Sequence, residues 1–115
     1  MNDIKLLLEN GADVNSKDKT SFTLLMSCVS KNDLDSVRIL LEYGVNINAK
    51  DDIHFSALDY SIKLNHLDMV KFLVQNGAKI TSDSYMYALK INHKDIIKYF
   101  DSLDPDKHIF LKNKR

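Results

Sequence analysis

Apolar residues in this chain recur at helical spacing, in short stripes. Val37, Leu40 and Leu41 follow the i, i+3, i+4 rule, and Val70, Leu73 and Val74 repeat it, so each set lines one face of a helix. A further set precedes each of these: Phe22, Leu25, Cys28 and Val29, then Phe55, Leu58, Ser61 and Ile62. Short polar joints, Lys31-Asn32-Asp33 and Asn65-His66, separate the two helices of each pair. The second helix then stops at a glycine, which takes the left-handed C-cap conformation without a Cβ penalty. Asn10-Gly11 and Asn76-Gly77 would suggest hairpin turns in isolation, but here they follow helical stripes and read as C-caps. The pattern predicts a unit of helix, tight turn, helix and Gly-capped loop.

That unit repeats. Gly11, Gly44 and Gly77 are the only three glycines and stand 33 residues apart both times. Leu7, Leu40 and Leu73 recur at the same interval, as do Leu8, Leu41 and Val74, and Ile4, Val37 and Val70. Asp13-Val14-Asn15 returns as Asn46-Ile47-Asn48. A fixed period of this length marks a stacked, quasi-one-dimensional architecture.

These residues resemble the ankyrin repeat. The match is strongest at the end of the second helix, in Asn10 to Asn15, Gly44 to Asn48 and Gly77 to Ile80, and weaker in the first helix. Thr23 and Ser56 keep the family's hydroxyl position, whereas Leu24 and Ala57 replace its proline and Met26 and Asp59 its histidine. Ser21 and His54 stand where the family prefers glycine. These departures remove a pre-set helix start and a hydrogen-bond network, and they predict modest stability. The resemblance implies an all-α ankyrin-repeat solenoid of stacked helix-turn-helix units with short loop or hairpin tips.

The boundaries that follow are an incomplete first unit over 1–16, full units over 17–49 and 50–81, a shortened unit over 82–101, and a capping helix with a basic tail over 102–115. The shortened unit is read from Asn92 to Phe100, which match Asn65 to Leu73 at a spacing of 27 residues. Ser82-Asp83-Ser84 is expected to replace a tip with a direct N-cap. Asp104-Pro105 looks like one more helix start, with Ile109, Phe110 and Leu111 lying over the last unit. Lys90, Lys94 and Lys98 add polarity at that end. The opposite end lacks such a device, so Ile4, Leu7 and Leu8 are expected to leave an apolar patch that invites self-association. The chain therefore reads as a piece of a longer array, or as one covered there by another chain.

Composition narrows the function by exclusion. Sixteen basic residues oppose sixteen acidic ones, which argues against nucleic acid and an anionic membrane as partners. The tail Lys112-Asn113-Lys114-Arg115 reads as a solvated end. No apolar run approaches a spanning helix, and the start MNDIKLLLEN has no leader pattern, so the expected location is intracellular, in the cytoplasm, or a host cytosol for a secreted effector. The single cysteine, Cys28, stands at the small-residue position of the resembling family and reads as a buried structural thiol. His66 and His93 sit in matching Asn-His-x-Asp sequences at the joint, where the family uses histidine to start the second helix. His54 and His108 lie at no metal-ligand spacing, and each glycine follows a helix instead of opening one, as a phosphate cradle requires. No catalytic residue, metal, cofactor or small-molecule substrate is expected.

The resemblance implies recognition of another protein through loop tips and the exposed side of the first helices. Carried over by position, the tip residues are Lys17, Lys19 and Thr20, then Lys50, Asp52 and Ile53. The helix positions are Ser30 and Lys31, then Lys63 and Leu64, with Tyr60 on the same side. Phe22 and Phe55 hold one equivalent position, where an aromatic packs on the adjacent unit. Ile53 and Leu64 are required by neither apolar ladder, which marks them as anchors. A protein-binding scaffold is the first reading. Its rivals are a recruitment segment of a larger enzyme or effector, and a homodimer built on the open N-terminal face.

Overall fold

A computed structural model describes residues 3–106. Among them are seven helices: α1 (Asp3–Glu9), α2 (Leu24–Ser30), α3 (Leu34–Glu42), α4 (Ala57–Lys63), α5 (Leu67–Gln75), α6 (Ser82–Ile91) and α7 (Lys94–Leu103). The pairs α2/α3, α4/α5 and α6/α7 are antiparallel hairpins. Contacts of α2 with α4, and of α4 with α6, stack the first helices into an inner row. The outer row runs α1, α3, α5, α7, and the stack measures 46 × 26 × 21 Å.

The core is the set of positions that the period predicts. Leu25, Val29, Leu58 and Ile62 from the inner row and Val37, Leu40, Val70 and Leu73 from the outer row are buried. Cys28, Ser61 and Ala88 are the small buried residues that let the inner helices approach. Burial pushes the Cys28 thiol above its ordinary range, with Asp33 adding to the effect, which favours the protonated form. Along the outer row, Arg38 lies 5.6 Å from the Phe72 ring centre and Lys71 5.6 Å from that of Tyr99. These cation–π contacts tie α3 to α5 and α5 to α7.

The second helices end as their glycines require. Gly11, Gly44 and Gly77 have φ of 94°, 78° and 104°. The amide that follows each one donates back across the last turn: Ala12 to the Leu7 carbonyl, Val45 to Leu40 and Ala78 to Leu73. This satisfies carbonyls that the helix end leaves open. At the joints between helices Asn32, Asn65 and Asn92 take the left-handed conformation, which asparagine tolerates well.

Helix starts differ from expectation at three points. Asp33 caps α3, its Oδ1 accepting from the Ser36 amide at 3.1 Å. His66 and His93 hold the N-cap positions of α5 and α7 but make no side-chain capping bond, so neither ring starts its helix. The shortened unit is capped by Thr81, whose Oγ1 accepts from the Ser84 amide at 3.0 Å, and Ser82 is already helical. Helix α7 continues to Leu103, and Asp104 is its C-cap. The expected capping helix with Ile109, Phe110 and Leu111 lies outside the described residues.

The lost proline and histidine of the first helices have local substitutes. Thr23 accepts from the Met26 amide at 3.1 Å, and its own N–H points to the Met26 sulfur at 3.4 Å. In the next unit Ser56 Oγ accepts from the Asp59 amide at 3.2 Å, while Asp59 Oδ2 accepts from the Ser56 amide at 3.0 Å. The second Asp59 oxygen accepts from Ser84 Oγ at 2.7 Å, joining α4 to α6. The buried carboxylate is thus satisfied on both oxygens.

Candidate functional site

Each full unit builds its tip around one aspartate. The Asp18 Oδ1 accepts from the amides of Thr20 and Phe22 and from the Thr20 hydroxyl, at 2.8, 3.1 and 2.7 Å. These bonds, led by the Thr20 hydroxyl, hold its carboxyl below the usual range. Asp51 Oδ1 accepts from the amides of Ile53 and Phe55, both at 3.0 Å. The turn forces positive φ on Ser21 (65°) and His54 (67°), the two positions where the resembling family prefers glycine. Short antiparallel bridges, Lys17 with Thr23 and Lys50 with Ser56, close the tips. The Asp52 amide donates to the Thr20 carbonyl at 3.0 Å, so the two tips are bonded side by side.

Behind the tips, the predicted aromatics meet. Phe22 packs edge-on to Tyr60 at 5.4 Å, Tyr60 packs on Phe55 at 5.2 Å, and Phe55 packs on Tyr87 at 5.2 Å. All four rings are half-buried, so they both join the units and present a face. The Tyr60 hydroxyl donates to Asp51 Oδ2, linking the inner helix to its tip. Burial, then that bond and the Asp51 charge, push the Tyr60 phenol up to about 12. Tyr87 is the residue that the sequence reading missed, although it stands 27 residues after Tyr60, the offset of the shortened unit.

The remaining predicted residues surround this line in two groups. Lys19, Asp52 and Ile53 are exposed at the tips, with Ile53 at 65%. Lys31, Lys63 and Leu64 are exposed at the far ends of α2 and α4, with Leu64 at 40%. A seven-residue helix separates the groups by roughly 10 Å. Thr20 spends its hydroxyl and its carbonyl on the tip itself. The proposed self-association patch is differently composed: Leu8 is buried in the core, and the exposed leucines of α1 are Leu6 and Leu7.

A second line of contacts runs below the tips. The Asn46 amide donates to Asn15 Oδ1 at 2.7 Å, and the Lys79 amide donates to Asn48 Oδ1 at 2.9 Å. Asn48 Nδ2 donates in turn to the Gly77 carbonyl at 3.1 Å. These bonds explain why asparagine recurs at this place in the period. Among the described residues no three His, Cys, Asp or Glu side chains gather as metal ligands, and no helix is long and apolar enough to cross a membrane.

Comparison with known proteins adds two findings. A family model described as ankyrin repeats, in three copies, matches residues 1–84. No curated protein matches the chain.

Proposed function

This chain belongs to the ankyrin repeat family, whose members are generally protein–protein interaction modules and typically non-catalytic, and from that premise we propose that it binds a partner protein across its tips and inner helices. The observation that carries the proposal is the line of half-buried rings Phe22, Tyr60, Phe55 and Tyr87, flanked by exposed Ile53 and Leu64. Rings already fixed by their neighbours lose little side-chain entropy on binding, and aliphatic anchors beside them supply apolar area to bury. Lys17, Lys19, Lys31, Lys50 and Lys63 are exposed around the same face and form its polar rim.

Affinity capture from source-cell lysate tests this, comparing the parent chain with a variant carrying Lys19→Ala, Asp52→Ala, Ile53→Ser and Leu64→Ser. Circular dichroism confirms that the two are equally folded. A protein held by the parent and lost by the variant supports the reading; equal capture of the same proteins by both refutes it.

A further inference from the structure

Two hollows of nearly equal size, about 230 and 240 Å³, lie at the bases of the tips, where one unit meets the next. Lys50 lines both, paired with Lys17 in the first and with Lys79 in the second, and all three lysines are exposed. The rest of the lining differs in kind. The second hollow contains the Asp59 carboxylate, whose oxygens accept from Ser56 and Ser84. Its asparagine, Asn48, uses both ends, Oδ1 on the Lys79 amide and Nδ2 on the Gly77 carbonyl. That hollow holds its own anion, and its polar groups answer one another.

The first hollow has no acidic side chain in its lining. Asp59 has Met26 as its counterpart one period earlier. Asn15 and Asn46 line this hollow, and each already accepts a backbone amide on Oδ1, from Asn46 at 2.7 Å and from Asn48 at 3.2 Å. What each side chain still offers whole is its NH2 group, a pair of donors. Thr23 Oγ1 accepts from the Met26 amide, so its hydroxyl hydrogen is left to donate, and Ser21 adds a second hydroxyl. The neighbouring carboxylates are engaged in their own loops: Asp13 Oδ1 accepts from the Asn15 amide at 2.9 Å, and Asp18 Oδ1 from Thr20 and Phe22. Two lysines, two amide groups and two hydroxyls thus line one hollow that has no anion of its own. Such a donor set favours a negatively charged guest.

We propose that the Lys17–Lys50 hollow receives an Asp or Glu carboxylate of the partner protein, and that the Lys50–Lys79 hollow does not. The inference rests on the protein-binding reading above and adds the chemistry of the partner, an acidic segment where it crosses from one full unit to the next. The phosphates of a nucleic acid strand fit less well. The rings beside the tips, Phe22, Tyr60 and Phe55, stand at 82° and 60° to one another and form no platform of parallel faces for bases to stack on.

The test is an NMR titration of the full isotope-labelled chain with end-blocked hexaglutamate, with hexaglutamine and the oligonucleotide hexathymidylate run beside it. Asn46→Asp is the key variant, because it puts a carboxylate into the hollow. Asp13 holds the equivalent place one unit earlier and makes the same bond to the amide two residues on, so the variant keeps its loop. Hexaglutamate should shift the amides of Lys17, Asn46 and Lys50, and hexaglutamine should not. Asn46→Asp and Lys17→Gln should each weaken hexaglutamate binding by about fivefold or more, and Lys79→Gln by less than about twofold. Equal affinity in Asn46→Asp, shifts centred on Lys79, no shift at the first hollow, or a tighter complex with hexathymidylate overturns the proposal. A lysate protein that is lost by the Ile53→Ser and Leu64→Ser variant but held undiminished by Asn46→Asp also overturns it, and leaves the protein-binding reading standing.

Discussion

The unit from Asp51 to Ile80 and the unit that follows it solve the same helical problem with different amounts of chain. Both place a tyrosine on the inner face, Tyr60 and Tyr87, and both turn at a left-handed asparagine, Asn65 and Asn92. The first unit spends five residues on an aspartate-centred tip before Ser56 caps α4. The second passes directly from Ile80 to the Thr81 cap of α6. The scaffold thus needs only a cap to start an inner helix, and the tip is a separable addition. The aromatic line takes Phe22 and Phe55 from the tip turns and Tyr60 and Tyr87 from the inner helices, so Tyr87 carries it beyond the last tip.

The largest effect expected from breaking this comparison is in the core that the units share. Leu58→Ala should cost about 2–5 kcal/mol in chemical denaturation, because Leu58 is buried between α2 and α6 and its loss leaves a cavity. A value below about 1 kcal/mol would mean that the inner row is not packed as described. Asp59→Ala comes next. It strips partners from the Ser56 amide and the Ser84 hydroxyl, and should cost about 1–3 kcal/mol. A double-mutant cycle with Ser84→Ala should show coupling; strict additivity would remove the polar link between the full and shortened units.

Smaller effects separate tip from scaffold. His54→Gly and Ser21→Gly should each raise stability by roughly 1 kcal/mol, since both side chains are held at positive φ in tips that the shortened unit lacks. Thermal melts that fall for both variants would contradict the tip geometry. Ultraviolet titration should find Tyr60 ionising near pH 12. A phenol raised on folding contributes stability that is fully present below its unfolded value near 10 and lost as pH climbs through about 12, and Tyr60→Phe should weaken that dependence without abolishing it, since burial and Asp101 push Tyr85 up to about 12 as well. Ile53→Ser should shift stability least, by under about 0.5 kcal/mol, because Ile53 is the most exposed large apolar residue among the described ones.

Much of this organisation is legible in the sequence, for a physical reason. A stacked repeat meets the same neighbours at each turn, so its apolar ladder, terminal glycine and joint asparagine recur wherever the geometry recurs. Tyr87 was equally legible, since the 27-residue offset that aligns Asn92 with Asn65 also aligns it with Tyr60. The link from Asp59 to Ser84 was not, because it joins two units of unlike length at positions that share no periodic mark. Nor was the burial of Leu8, which depends on how α1 meets α3 and not on its own ladder. The tips carry the least readable part: their fold follows from Asp18 and Asp51, while the side chains of Lys19, Asp52 and Ile53 are exposed and follow no code.

The central claim is that recognition uses the tip-and-aromatic face and not the outer row. The most direct measurement is the affinity of a captured partner for two variants, Ile53→Ser/Leu64→Ser on the inner face and Glu42→Ala/Gln75→Ala at the ends of the outer helices. The account predicts about a tenfold or greater loss for the first, near 1.4 kcal/mol, and no change for the second. Loss confined to the outer-helix variant would contradict it.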